Sequence, residues 1–193
     1  APAPPSSFYA GHLGGFSWPF WAAAFVAMLF AGFVALLIVL PILRLRADYF
    51  AIATLALAET IRLVIVNAQS WTAGNIGIIL IPRPFDAMTP GDPGLSDTLM
   101  AALAVGVLVL TYFVLEWITR SPWGRVLHGI REDEEATLAY GKNTHSYRLQ
   151  AFVIGSMVMG LAGAILVSFL RIVTPAQFDP LATFSIYVMV ILG

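Results

Sequence analysis

The chain has 193 residues, of which 59% are hydrophobic and 11% are charged. Soluble domains carry about 25% charged residues, and a domain of this size leaves much of its surface in water. The composition therefore excludes a soluble domain and indicates an integral membrane protein. The net charge is −1 and the cationic residues are scattered, so nucleic acid is not an expected partner. The absence of cysteine excludes disulfides and thiolate chemistry.

Long apolar runs alternate with polar stretches along the chain. The runs are longer than the strands of a membrane barrel and lack their alternation, so helices must satisfy the backbone. The predicted fold class is an all-α, polytopic helical bundle over residues 20–193, with residues 1–19 as an N-terminal loop or partial segment. The last run is shorter than the roughly 20 residues that a span needs, so we expect a fragment of a longer protein. The predicted spans lie near residues 20–43, 50–66, 99–119, 149–172 and 181–193.

The distribution of Lys and Arg predicts the orientation, because cytoplasmic loops are enriched in cations. The turn after the first span and the polar stretch 120–148 would share the cytoplasmic side. The long loop 67–98, rich in Gly, Pro and Asp, would face outward. The cations on the predicted cytoplasmic side are Arg44, Arg46, Arg120, Arg125, Arg131, Lys142 and Arg148, against Arg83 and Arg171 on the other.

The polar stretch 120–148 contains signals for short helices. Ser121 can cap a helix that has Pro at its first position, and Gly141 can end the helical region in a left-handed conformation. Either Gly129 or Asp133 divides the stretch into two helices. The residues that share one apolar face, at spacings of four and three, are Trp123, Leu127 and Ile130.

Two interpretations of this stretch stay open on the residues alone. One is an ordinary solvated cytoplasmic loop. The other is an amphipathic helix with an aromatic anchor that docks into a groove of a partner protein. A helix lying on the membrane is disfavoured, because anionic lipid would repel the acids between Arg131 and Glu135.

Polar residues in and beside the second predicted span also admit two interpretations. Glu59 and Arg62 are three residues apart and hence neighbours on the helix surface. They mark either a site near a translocation path or an ion pair that positions the helix. Thr72, Gly74 and Asn75 form either a plain outer loop or an irregular backbone that presents polar groups to a ligand.

The fourth predicted span has two rows of small residues at a spacing of four. Small residues let helix backbones approach closely, so both rows are expected to pack against another helix. The alternative is that the glycines leave space for a substrate. The rows are Gly155–Met159–Gly163 and Ser156–Gly160–Ala164.

The sequence offers little support for enzymatic chemistry. It contains neither a Gly-x-x-x-x-Gly-Lys-Ser/Thr phosphate loop nor a Gly-x-Ser-x-Gly elbow, and its histidines lack metal-ligand spacing. An intramembrane hydrolase would need an activated Ser or paired Asp, yet the acids within the first four runs are Glu59 and Glu116. A membrane scaffold without a substrate also stays open.

Four motifs follow one another along the chain: LRLRADYFAIATLALAETIRLV from Leu43, WTAGNIGI from Trp71, SPWGRVLHGIREDEEATLAYG from Ser121 and QAFVIGSMVMGLAGAI from Gln150. In the third, Glu-Ala is followed by Thr, three residues and Gly. This pattern resembles the Glu-Ala-Ala signature of ATP-binding-cassette import permeases, with Thr137 in place of the second Ala. Together the motifs resemble the LivM-like inner-membrane permeases of branched-chain amino acid uptake.

The resemblance implies a transport subunit and not an enzyme. It implies a multi-pass protein of the bacterial inner membrane that works with a homologous permease subunit, two ATP-binding subunits and a periplasmic or lipid-anchored binding protein. ATP and Mg²⁺ would be bound by the ATPase, and this chain would hold no cofactor and no metal. Branched-chain amino acids would be the substrates, and urea or another small amide stays an alternative.

The resemblance also implies roles for the residues singled out above. The stretch 120–148 would be the coupling segment, which sits in a cleft of the ATPase and switches the membrane domain between inward- and outward-open states. The predicted coupling residues are Trp123, Leu127, Ile130, Glu135, Ala136 and Gly141. The predicted substrate path holds Glu59, Arg62, Thr72, Gly74 and Asn75.

Overall fold

A computed structural model describes residues 19–42, 47–68, 77–79, 81, 84–85, 93–178 and 180–193, and these are mostly helical. The helices are α1 Phe20–Ile42, α2 Ala47–Asn67, α3 Pro93–Arg120, α4 Pro122–Glu132, α5 Glu134–Ala139, α6 Thr144–Leu170 and α7 Pro180–Leu192. Two short strands, β1 Ile78–Ile79 and β2 Ile172–Val173, and a 3-10 helix, Pro175–Phe178, complete the described elements. The all-α expectation is confirmed for this part of the chain.

Three of these helices are long and apolar enough to cross a membrane. They are α1, α3 and α6, over residues 20–40, 94–120 and 144–170. Each exceeds the roughly 20 helical residues that match the thickness of a hydrocarbon core. Exposed large apolar side chains cover these helices, as lipid contact requires. The higher count of five spans stays a prediction.

The two helices that begin furthest ahead of their apolar runs are α3 and α6. Helix α3 starts at Pro93, since Pro suits the first position of a helix, where a backbone N–H would have no partner. Helix α6 starts at Thr144, where the Asn143 side-chain oxygen accepts a hydrogen bond from the backbone N–H of Ser146 at 3.3 Å. Capping residues, and not hydropathy, therefore set these boundaries.

The described elements belong to two compact units. One unit contains α1, α3, α4, α5 and α6 as far as Ile165. The other contains α2, β1, the last residues of α6, β2, the 3-10 helix and α7.

In the first unit, α6 packs against α1 through glycines. A Cβ on Gly160 would lie 2.5 Å from the Cβ of Ala31 and 2.9 Å from the carbonyl oxygen of Ala27. A Cβ on Gly32 would lie 2.6 Å from the Cγ of Met157. The two backbones are thus closer than a side chain at either glycine would allow. The expected packing of the Ser156–Gly160–Ala164 row against another helix is confirmed at Gly160.

The other small-residue row behaves differently. A Cβ on Gly155 or Gly163 would meet nothing within 4 Å, and Met159 is 77% exposed. Neighbouring residues are about 100° apart around a helix, so the two rows point in different directions. Within the described residues, the glycines of this row meet no neighbouring helix, and the expected packing of the row stays a prediction.

In the second unit, a short strand pair joins residues within the predicted outer loop to residues that follow α6. Ile78 pairs with Val173 and Ile79 with Ile172 in antiparallel register. Gly77 has a φ of 74°, and a Cβ there would lie 2.1 Å from the carbonyl oxygen of Val173. Only glycine fits this close backbone contact.

The two glycine environments on α6 predict opposite effects of the same substitution. Gly160→Ala should lower the melting temperature of the purified protein, because its Cβ would push α6 from α1 at an overpacking cost of about 1–3 kcal/mol. Gly155→Ala should be neutral or stabilising, because Ala raises helix propensity and its Cβ meets open space. Thermal unfolding in detergent measures both, and equal shifts for the two variants would contradict the α1–α6 contact.

Candidate functional site

The polar segment begins with a sharp corner between α3 and α4. The Ser121 hydroxyl donates a hydrogen bond to the carbonyl oxygen of Ile118 and accepts one, at 3.4 Å, from the backbone N–H of Gly124. A Cβ on Gly124 would lie 1.9 Å from the carbonyl oxygen of Thr119, so the corner requires glycine there. The expected cap at Ser121, with Pro122 at the first position of α4, is confirmed.

Asp133 joins α4 to α5 without an intervening loop. Its backbone N–H donates to the carbonyl oxygen of Gly129 at 2.9 Å and so ends α4. Its carboxylate accepts from the backbone N–H of Ala136 at 2.9 Å and so begins α5. Of the two residues expected to divide the segment, Asp133 does so, and Gly129 lies within α4.

A four-residue connection, 140–143, leads from α5 to α6. Gly141 has a φ of 75°, which confirms the left-handed conformation expected at the end of the helical region. Its backbone N–H donates to the carbonyl oxygen of Leu138 at 2.9 Å. The Lys142 N–H donates to the carbonyl oxygen of Thr137 at 3.4 Å. These bonds satisfy the end of α5 and direct the chain into α6 at once.

Three side-chain bonds connect the polar segment with the first turns of α6. The Glu134 carboxylate accepts a bond from the Arg148 guanidinium at 2.7 Å and another from the Thr144 hydroxyl at 3.2 Å. The Trp123 indole N–H donates to the side-chain oxygen of Gln150 at 2.7 Å. Sequence reasoning missed these contacts, because they join residues 10–27 positions apart. The available signal was an acid at the start of α5 and a base in the following helix.

The apolar face of α4 lies largely inside the chain. Ile130 is 6% exposed, and Trp123 and Leu127 are half-buried. The three residues lie on one face of α4 as their spacing predicts, and their contact with a partner stays a prediction. The Ile130 side chain is buried among residues of this chain.

A different set of residues is presented to the surroundings by α5 and the turn that follows it. Leu138 is 51% exposed and Tyr140 is 85% exposed. Sequence reasoning missed both, because a six-residue helix is too short to show an apolar period. The two lie among three predicted coupling residues that are themselves exposed. We call this set the α5 surface: Glu135, Ala136, Leu138, Tyr140 and Gly141.

The charged pair on α2 is present as its spacing predicts. The Nε of Arg62 donates to one oxygen of the Glu59 carboxylate at 2.8 Å, and a terminal guanidinium nitrogen binds the other oxygen. Both side chains are about one-third exposed. This bidentate geometry pairs the two charges on one helix. The other predicted path residues, Thr72, Gly74 and Asn75, lie outside the described residues.

No candidate metal site is found among the described residues. Its His, Asp and Glu residues form no group of three or more that could hold a metal ion. The bonds found in the polar segment are instead those that cap helices and join them.

Comparisons with known proteins reveal similarity to transport permeases. The profile of a family described as "Branched-chain amino acid transport system / permease component" matches residues 6–193. The high-affinity branched-chain amino acid transport system permease protein LivM of Escherichia coli K12 is 30% identical over 194 residues, which cover 90% of this chain and 46% of that protein. The LivM protein of Salmonella typhimurium has the same identity and coverage. No solved structure matches the chain.

The similarity extends to a protein of Methanocaldococcus jannaschii. The probable branched-chain amino acid transport permease protein LivM of Methanocaldococcus jannaschii is 27% identical over 172 residues, which cover 89% of this chain and 49% of that protein. The chain thus spans about half the length of the curated relatives it matches.

The left-handed conformation at Gly141 predicts a graded response to substitution. Gly141→Val should loosen the end of α5, because a β-branched residue at this φ costs more than the roughly 1–2 kcal/mol of an ordinary L-residue. Gly141→Asn should be tolerated, because Asn adopts this region readily. Cleavage by trypsin after the exposed Lys142 reports the local opening. Equal cleavage rates in the Val variant and the parent would contradict the described turn.

Proposed function

Because this chain belongs to the family of branched-chain amino acid transport permeases, we propose that it forms part of the membrane pathway of an ATP-driven importer. It resides in a bacterial inner membrane and moves branched-chain amino acids inward. A second permease subunit completes the pathway, two ATP-binding subunits drive it, and a binding protein delivers the substrate. ATP hydrolysis takes place in the ATP-binding subunits and not in this chain.

The observation that carries the proposal is the α5 surface. A large aromatic and an aliphatic side chain, Tyr140 and Leu138, stand exposed beside the residues that match the permease signature. Tyr supplies a large contact area with little loss of side-chain freedom, and aromatic residues are enriched at protein interfaces. We assign the α5 surface to a groove of the ATP-binding subunit.

The α5 surface is pre-organised for such a contact. Isolated helices shorter than about 12 residues are unstable in water, and α5 has six residues. Its ends are nevertheless fixed by the Asp133 cap and by the Gly141 turn. A surface that is already ordered loses less entropy on binding than a flexible loop would. The segment therefore suits a contact that must transmit force as well as bind.

The α4 face takes a supporting role in this proposal. Ile130, with the half-buried Trp123 and Leu127, packs α4 into its own chain and so holds α5 in place. Exposed acids at Glu132 and Asp133 extend the α5 surface toward α4. A partner groove with an apolar centre and a basic rim would complement this arrangement.

The Glu59–Arg62 pair is assigned to positioning α2 beside the translocation path. Both oxygens of the carboxylate are bonded to the guanidinium, so the charges compensate each other. Direct substrate contact by Thr72, Gly74 and Asn75 stays a prediction.

Substitution of the two exposed side chains tests the docking proposal. In the full-length permease, Leu138→Asp together with Tyr140→Asp should reduce co-purification of the ATP-binding subunit and uptake of labelled leucine by tenfold or more, since interface anchors are worth about 2 kcal/mol or more each. The matched control is Leu138→Met with Tyr140→Phe. This variant keeps the size and apolar area of the side chains, so co-purification and leucine uptake should both be retained. Undiminished association of the Asp variant would refute the assignment of the α5 surface.

The absence of cysteine in this chain permits a direct test of orientation. A single cysteine at Lys142 should be shielded from a membrane-impermeant maleimide in intact cells and become labelled after permeabilisation. A single cysteine at the exposed Gln177, which follows α6 and β2, should be labelled without permeabilisation. Both variants are placed in a full-length background without other cysteines, and the reverse labelling pattern would show that the proposed orientation is inverted.

A further inference from the structure

We propose that Glu134, Trp123 and Gln150 are positioning residues that fasten the α5 surface to the first turns of α6. Helix α6 would then be the span that moves directly with the ATP-binding subunit. This inference rests on the proposed function, because it requires a partner that acts on the α5 surface.

Glu134 is the central group of this attachment. It is the first residue of α5, and each of its carboxylate oxygens bonds to a different residue of α6. Thr144 and Arg148 are one helical turn apart and so lie on one face of α6. Thr144 is 4% exposed, so its hydroxyl is shielded from water where it donates to the partly exposed Glu134 carboxylate. The contact therefore spans a full turn of α6 and resists both sliding and rotation of α5 along it.

Trp123 provides a second attachment from the other end of the segment. It lies in the first turn of α4, and its indole N–H reaches Gln150, 27 residues further along the chain. The two attachments come from different helices, α4 and α5, and meet α6 within residues 144–150. Two separated points of attachment fix the orientation of a body more firmly than one. The segment and the start of α6 are thereby joined as one piece.

The covalent connections reinforce this arrangement. Helices α4 and α5 share Asp133, and four residues separate α5 from α6. Further along α6, Gly160 packs against α1, about 15 Å from Gln150 at the rise of an α-helix. A displacement of the α5 surface would pass first to α6 and then to α1. Ridge-to-groove contacts as close as that at Gly160 transmit such displacements, because packed interiors have low compressibility.

The test separates positioning from docking by measuring three quantities in the intact transport complex: co-purification of the ATP-binding subunit, ATP hydrolysis and uptake of labelled leucine. Glu134→Arg places a second cation beside Arg148. It should lower the leucine transported per ATP hydrolysed by about threefold to fivefold, which is within the interaction energy of a partly exposed ion pair. Co-purification should stay at the parent level. Combining Glu134→Arg with Arg148→Glu restores opposite charges and should recover the ratio.

The matched control is Glu116→Arg, which breaks the ion pair between Glu116 and Arg120 within α3. This ion pair has the same chemistry but lies within a single helix. Its loss should therefore leave the leucine transported per ATP hydrolysed unchanged. An unchanged ratio in Glu134→Arg, or failure of the charge swap to recover it, would overturn the inference. Loss of co-purification in Glu134→Arg would also overturn it, by placing Glu134 in the docking surface. Failure of the parent itself to co-purify would overturn the proposed function instead.

Discussion

At the junction of α3 and α4, the carbonyl oxygen of Thr119 leaves no room for a side chain on Gly124. This close contact lies where the chain leaves α3 and enters α4, whose Ile130 is buried within the chain. Once α4 is placed in this way, Asp133 can begin α5 without a loop, and Gly141 can end it. The exposed position of Tyr140 is thus the last step of a series of local constraints that begins with one close backbone contact.

Local signals in the sequence predicted where this helical segment begins and ends, and they left Gly129 and Asp133 as the candidates for its division. Ser121, Asp133 and Gly141 act on backbone groups within four residues of themselves, so their roles follow from residue type and spacing. The burial of Ile130 and the bonds of Glu134 depend on residues that are distant in the chain. Apolar periodicity identifies a face of a helix but not the element that covers it. The sequence therefore predicted the apolar face of α4, but not that Ile130 on this face is buried within the chain.

The membrane helices show the same limit in another form. Hydropathy predicted helices at the apolar runs, because lipid demands that each backbone polar group be satisfied within the segment. It did not predict the starts of α3 and α6, where Pro93 and Asn143 extend the helices into polar sequence. Nor could it choose between the two small-residue rows of α6. Both rows satisfy the spacing for close packing, yet only Gly160 meets α1 in the described structure.

The shared use of Asp133 affects how the segment can vary in length. Exposed connections between helices generally accept insertions and deletions, because their backbone bonds go to water. Here one residue ends α4 and begins α5, so an inserted residue would separate the two caps and alter the rotation of α5 about its axis. Such a change would turn Leu138 and Tyr140 away while leaving their identities intact. The number of residues between Ser121 and Thr144 is accordingly constrained more strongly by the structure than the identity of most of those residues.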